Sequence, residues 1–249
     1  MPFRDGNRSA LEPRGPVEKP RAAVLLLHGG REHGTAAPPP WDPPGARLRL
    51  FEGAIRRSTS EGGVLIGRVR YRFRGWNGER EDAAQDARRA LRELELLAGE
   101  VPTILVGHSM GARAALRAAG DPLVRGVIGL APWCPAGEPV AHLRGRRVVL
   151  LHGDKDRTTD PRSSLDFAAR AAAAGAEAAH VPMHGSGHAM LGRAAAWHDL
   201  TARAVAALLG LADLPPEIAG RFPPPVRRGD EDRAALDGTH GLTCADRSR

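Results

Sequence analysis

Gly107, His108, Ser109, Met110 and Gly111 stand between an apolar run, Val101 to Val106, and an alanine-rich run, Ala112 to Ala119. A turn this tight between a buried strand and a helix holds its central residue in a strained conformation, and the flanking glycines leave room for the backbone. Ser109 is then presented at the tip, where its hydroxyl can meet a base and a substrate carbonyl. The first amides of the following helix lack intrahelical partners and can donate to a developing negative charge.

A serine hydroxyl at its ordinary pKa is a poor nucleophile. It needs a base within hydrogen-bond reach and a third group that orients the base. Both come later in the chain. His152, Gly153, Asp154, Lys155 and Asp156 follow the apolar run Val148 to Leu151, and Gly185, Ser186, Gly187 and His188 come one unit further on. The intervals from Ser109 to Asp156 and from Asp156 to His188 each leave room for a strand and a helix. Asp154 competes with Asp156, but a position directly after Gly153 suits a turn residue and favours Asp156. His184 competes with His188, which Gly187 and the loop position favour. His180 and His198 read as strand or helix surface, and His28 and His108 as residues that shape their turns.

The elements that must carry these residues alternate. Ala22 to Leu27 is apolar without alternation, as in a parallel strand covered on both faces, and ends in His28, Gly29, Gly30. A helical pattern follows at Leu48, Phe51 and Ile55, and a second strand starts at Val64 to Ile66. That strand continues to Arg74 with Arg68, Arg70, Arg72 and Arg74 alternating against apolar residues, which predicts a half-exposed edge strand with all four arginines on one face. Ala83, Ala87, Ala90, Leu91, Leu94 and Leu97 predict a helix from Glu79 to Ala98. Strands at Val124 to Ala131 and Val148 to Leu151, a weak strand at Ala178 to Val181, and helices at 161–174 and 192–209 complete the pattern. Pro132 to Arg146 is too short to hold a lid. The expected architecture is α/β, a single domain over residues 21–212 with a mostly parallel sheet of about six strands and helices on both faces. Residues 1–20 read as a flexible lead-in and 213–249, with Pro215, Pro216 and Pro223 to Pro225, as a disordered tail.

Composition narrows the classes. The net charge of +7 would ordinarily suggest nucleic acid or an anionic membrane as a partner. Here the charge is nearly all arginine, aromatics are only 4% of residues, and no basic run is interleaved with stacking rings, which argues against a nucleic-acid binder. No apolar run approaches the ~20 residues of a membrane span, and a cytoplasmic protein is expected. Cys134 and Cys244 are the two cysteines, which suggests neither a disulfide framework nor a cysteine metal site.

Serine elbow, strand-end aspartate and late histidine in that order resemble the α/β-hydrolase superfamily over roughly Ala22 to Leu211, and in particular its small lidless, dienelactone-hydrolase-like and carboxylesterase-like members. The resemblance implies Ser109 as nucleophile, His188 as general base and later acid, and Asp156 as the carboxylate that holds the imidazole tautomer. It implies an oxyanion hole from the Met110 amide and one from Gly30 or Arg31. The first antiparallel pair of the superfamily's sheet is expected to be missing. The implied activity is cofactor-free hydrolysis of a small to medium ester or thioester, and the alternative is a ligand-binding or scaffold protein on the same fold. Trp76 and Trp133, in loops that follow strands, are the expected apolar wall of the substrate pocket. Trp41 lies in another such loop.

Overall fold

Seven strands form one sheet in the computed structural model, which describes residues 8–15, 18–39 and 43–222. They are β1 (Leu11–Arg14), β2 (Ala22–Leu27), β3 (Val64–Val69), β4 (Thr103–His108), β5 (Val124–Leu130), β6 (Arg147–Gly153) and β7 (Glu177–Met183). The spatial order is β1-β3-β2-β4-β5-β6-β7, with β1 antiparallel to β3 and every other pair parallel. The helices are α1 (Pro43–Ser58), α2 (Asp82–Ala98), α3 (Met110–Ala118), α4 (Pro161–Ala173), α5 (Ala194–Leu208) and the short α6 (Pro216–Ala219).

The sheet is buried because its central strands are apolar at every position. Successive side chains of a strand point to opposite faces. Leu25, Leu27, Leu105, Val127 and Leu150 therefore pack under α2, α3 and α4, while Val24, Leu26, Val106, Ile128 and Leu151 pack under α1 and α5. Each such leucine or isoleucine contributes about 1.5–3 kcal/mol by leaving water. Two helix ends follow directly from the sequence. Asp160 caps α4 by accepting from the amide of Arg162, with Pro161 in the first turn, and Gly99 ends α2 at a positive φ of 76°. Leu97, at the edge of the apolar stripe of α2, stays exposed.

Three expectations need correction. The sheet has seven strands where about six are predicted, because the lead-in contains β1. Glu93 of α2 holds that segment by accepting from the amides of Ala10 and Leu11 and the hydroxyl of Ser9, while Arg70 N–H donates to the Ala10 carbonyl. The arginine-striped strand is consequently not the edge, and it stops at Val69. The arginines therefore part company: Arg68, still within β3, pairs with Glu52 of α1, and Arg72, beyond its end, with Asp86 of α2, on opposite faces of the sheet. Finally, the expected tail contributes α6, whose Ile218 is fully buried in the core under α1 and α5. Trp41 and the remainder of that tail, 223–249, lie outside the described residues.

This topology fixes where chemistry can occur. From β2 the chain crosses to β3 on one side, and then returns to place β4 on the other side of β2, so the segments leaving the paired carboxyl ends of β2 and β4 run to opposite faces of the sheet, the arrangement that leaves a crevice between them. The link from β5 to β6 carries only a single 3-10 turn, Ala141–Leu143, and among the described residues no inserted domain covers that crevice. Among the described residues no helix is long and apolar enough to cross a membrane.

Candidate active site

Ser109 is the single residue between β4 and α3, with φ 55° and ψ −118°. A non-glycine residue at positive φ is strained, and here its surroundings enforce it. Its amide donates to Leu130 O (3.0 Å), and its carbonyl accepts from the amides of Ala112 (3.1 Å) and Arg113 (3.2 Å). The glycines are needed for close approach. A Cβ on Gly107 would lie 2.3 Å from Gly111 O, and one on Gly111 would lie 2.1 Å from Leu27 O.

Ser109 Oγ lies 3.0 Å from His188 Nε2, and His188 Nδ1 lies 2.8 Å from Asp156 Oδ2. His188 sits in the loop between β7 and α5, Asp156 in the loop between β6 and α4. The two loops interlock, because Gly153 packs against the Ser186 carbonyl and Lys155 N–H donates to it. Facing a carboxylate, Nδ1 carries the ring proton, which leaves the Nε2 lone pair to accept from the serine hydroxyl. The rivals are also together, but elsewhere: His184 and Asp154 face each other at 3.2 Å on the exposed surface.

Asp156 is saturated with donors. Its Oδ1 accepts from the amides of Thr158 (2.8 Å) and Thr159 (3.0 Å), and its Oδ2 from His188, from the Thr159 hydroxyl (2.9 Å) and from His152 Nε2 (3.1 Å). Burial works against the charged form, but the bonds from His152, His188 and the two threonine amides hold the carboxyl well below the usual carboxylate range. Thr159 and His152 went unread as site residues. The Asp-x-Thr-Thr order, an Asx-turn pattern that folds a carboxylate onto the next amides, is the signal that points to the first; for His152 there is only its place beside Asp156.

His108 closes the back of the site. Its ring lies 4.9 Å from that of His188, and its Nε2 donates to the His188 carbonyl at 3.1 Å. Burial and the neighbouring His188 push it down to about 3, so it stays neutral and acts as a fixed support. Cys134 offers no rival nucleophile, since burial and the Glu138 carboxylate push its thiol up to about 12.

Met110 and Gly30 face each other across the elbow. A Cβ on Gly30 would meet Met110 Cε at 2.3 Å, and neither residue's amide has a backbone acceptor among the described residues. The Arg31 amide, by contrast, is engaged, donating to Arg74 O at 2.9 Å. Beside this loop opens a cavity of about 340 Å³, lined in part by His28, Gly30, Arg31 and Arg74.

The expected tryptophan wall takes a different form. Arg113, one turn beyond Ser109, lies 4.0 Å from the ring centroid of Trp76 and 4.5 Å from that of Trp133, with its Nε on Glu138 at 2.7 Å. Trp76 is 2% exposed, so only Trp133 keeps part of its surface open. Trp133 is tied to the elbow, its amide donating to Ser109 O at 3.3 Å. Among the described residues no group of three or more His, Cys, Asp or Glu side chains could hold a metal ion.

A family model described as "Alpha/beta hydrolase family" matches residues 24–245. No curated protein matches the chain in sequence. Solved structures do match in fold. An alpha-beta serine hydrolase homologue from Coxiella burnetii is 19% identical, with a TM-score of 0.58 over 78% of this chain and 88% of that one. Est1E from Butyrivibrio proteoclasticus, solved with bound ferulic acid, is 13% identical, with a TM-score of 0.57 over 80% and 96%. A putative alpha/beta hydrolase from Agrobacterium tumefaciens is 14% identical, with a TM-score of 0.60 over 82% and 93%.

Proposed function

The chain belongs to the alpha/beta hydrolase family, and from that premise we propose that it is a serine hydrolase that cleaves a small to medium carboxylic ester, or a thioester, through an acyl-enzyme. The observation that carries this reading is the unbroken chain Ser109 Oγ to His188 Nε2 (3.0 Å) and His188 Nδ1 to Asp156 Oδ2 (2.8 Å), starting from a strained elbow.

In the first half-reaction Ser109 Oγ attacks the carbonyl carbon while its proton passes to His188 Nε2. The imidazolium so formed is stabilised by Asp156, which keeps its negative charge. The carbonyl oxygen becomes an oxyanion that accepts from the amides of Gly30 and Met110, each such donor contributing about 3 kcal/mol to the transition state. Collapse of the tetrahedral species breaks the bond to the leaving alcohol or thiol, which takes the proton from His188. Water then repeats the sequence on the acyl-enzyme and releases the acid and Ser109. The cavity of about 340 Å³ beside Gly30, next to one of the two proposed oxyanion donors, supports a substrate of modest size.

The test is hydrolysis of a series of p-nitrophenyl esters from acetate to laurate. The expected result is saturable turnover that falls about 10⁶-fold in Ser109→Ala. Turnover that survives Ser109→Ala would overturn the assignment of the nucleophile. No turnover on any ester, with ligand-induced thermal shifts instead, would favour a binding protein on the same fold.

A further inference from the structure

His152 lies on β6, wholly buried and four residues before Asp156. Its Nε2 is 3.1 Å from Asp156 Oδ2 and 3.2 Å from the carbonyl oxygen of Thr159. Both are acceptors, so Nε2 carries a proton and donates. Its Nδ1 lies 2.8 Å from the hydroxyl of Ser164 on α4, which in turn lies 2.9 Å from the Pro161 carbonyl. A ring that only filled this space would be cheaper as phenylalanine or leucine, with no polar atoms to satisfy. What the histidine adds is a third hydrogen bond to the oxygen on which His188 also depends.

We propose that His152 is a positioning residue for the hydrolytic reaction: by donating Nε2–H to Asp156 Oδ2 it fixes the plane of that carboxylate and shares the oxygen that holds His188. Hydrogen bonds to a carboxylate favour its charged form and weaken its hold on a neighbouring proton. With His152 in place, Asp156 Oδ2 is shared between two ring N–H donors and pulls less strongly on the proton of His188 Nδ1. The other titratable or charged groups around this pair are His108 at the end of β4, buried and neutral, Arg47 of α1, whose charge reaches His108, and His180 of the neighbouring β7, pushed down to about 4 by burial and by the nearby His152. Asp154 and His184 face each other on the surface. None of these is hydrogen-bonded to His152, whose partners are Asp156, Thr159 and Ser164.

The inference rests on the hydrolase reading for its kinetic arm alone. His152→Phe keeps a ring of similar volume and removes the donor, whereas His152→Gln returns an amide N–H to the place of Nε2–H. Two readouts are taken: the acid limb of kcat/KM on a neutral ester, and the NMR titration of the His188 ring, which needs no turnover. In His152→Phe both move to higher pH by roughly half a unit to one unit, and kcat falls about tenfold with KM within twofold. In His152→Gln both return towards the parent. If His152→Phe does not fold, His152→Asn, whose shorter amide reaches Ser164 and not Asp156, replaces it. An acid limb and NMR midpoint that stay put without the donor, or that move equally in His152→Gln, overturn the proposal. Absent turnover with a moved NMR midpoint counts against the hydrolase reading and leaves the coupling of His152 to His188 standing.

Discussion

Replacing Asp156 by Asn exchanges one carboxylate oxygen for a donor at a fully buried side chain. The amides of Thr158 and Thr159, at 2.8 and 3.0 Å from Oδ1, can be met only by oxygen, so the new NH₂ must take the place of Oδ2. There it faces His188 Nδ1 and His152 Nε2. An N–H pointing at Nδ1 forces His188 to carry its own proton on Nε2, towards Ser109, and the serine loses its base. The expected loss in kcat/KM is about 10⁴-fold, ~5.5 kcal/mol of transition-state stabilisation. Stability falls as well, because the donors on Oδ2 lose a charged acceptor worth ~1.5–3 kcal/mol each. The pH sign is fixed by the depressed carboxyl: its contribution is complete above the unfolded carboxylate pKa of ~4 and is lost as pH falls through the lower folded value. The gap in Tm between parent and variant is therefore widest near neutrality and narrows with acidification. Steady-state kinetics and thermal melts across the acid range check both halves. An Asn variant within tenfold of parental activity, or a Tm gap that does not change with pH, would refute the reasoning.

Other consequences are as direct. Thr159→Val removes the hydroxyl from Asp156 Oδ2 and keeps the backbone amide on Oδ1, so kcat should drop about tenfold with KM little changed; an unchanged kcat would remove that hydroxyl from the account. Gly111→Ala drives a Cβ to within 2.1 Å of Leu27 O, a backbone atom that cannot swing aside, and should cost ~4 kcal/mol or more, read as a collapse of soluble yield or Tm. A melting curve like the parent's would contradict that packing. Trp133→Ala should raise KM for bulky acyl esters more than for acetate, since Trp133 is the open member of the Trp76–Arg113–Trp133 stack; an unchanged ratio would take it out of the pocket.

What could be read from the sequence was local and strongly patterned. The elbow is legible because two glycines, a preceding apolar run and a following alanine run all demand the same strand-turn-helix geometry. Asp156 and His188 could be set above Asp154 and His184 from turn chemistry, and the structure brings the former pair to Ser109 while the latter meet on the surface. β1 was illegible because Leu11–Arg14 has a single large apolar residue and a proline. Its strand character is conferred by β3 and by the Glu93 carboxylate, both distant in sequence. The arginine stripe misled for a related reason. Alternation is a statement about an extended chain, and past Val69 the backbone turns aside as the Arg72 amide binds Asp86 and the Arg74 amide binds Ala36 O. His152 and the Arg113 stack depend on side chains meeting across separate elements, for which a single sequence carries no periodic signal.

The central claim is that Ser109 is an activated nucleophile. Intact-protein mass after exposure to a fluorophosphonate probe tests it most directly, with folded Ser109→Ala as the control. The expected result is one adduct per parent chain, carried on the peptide that contains Ser109, and none on the variant. A folded parent that takes no adduct, or an adduct that persists on Ser109→Ala, would contradict it.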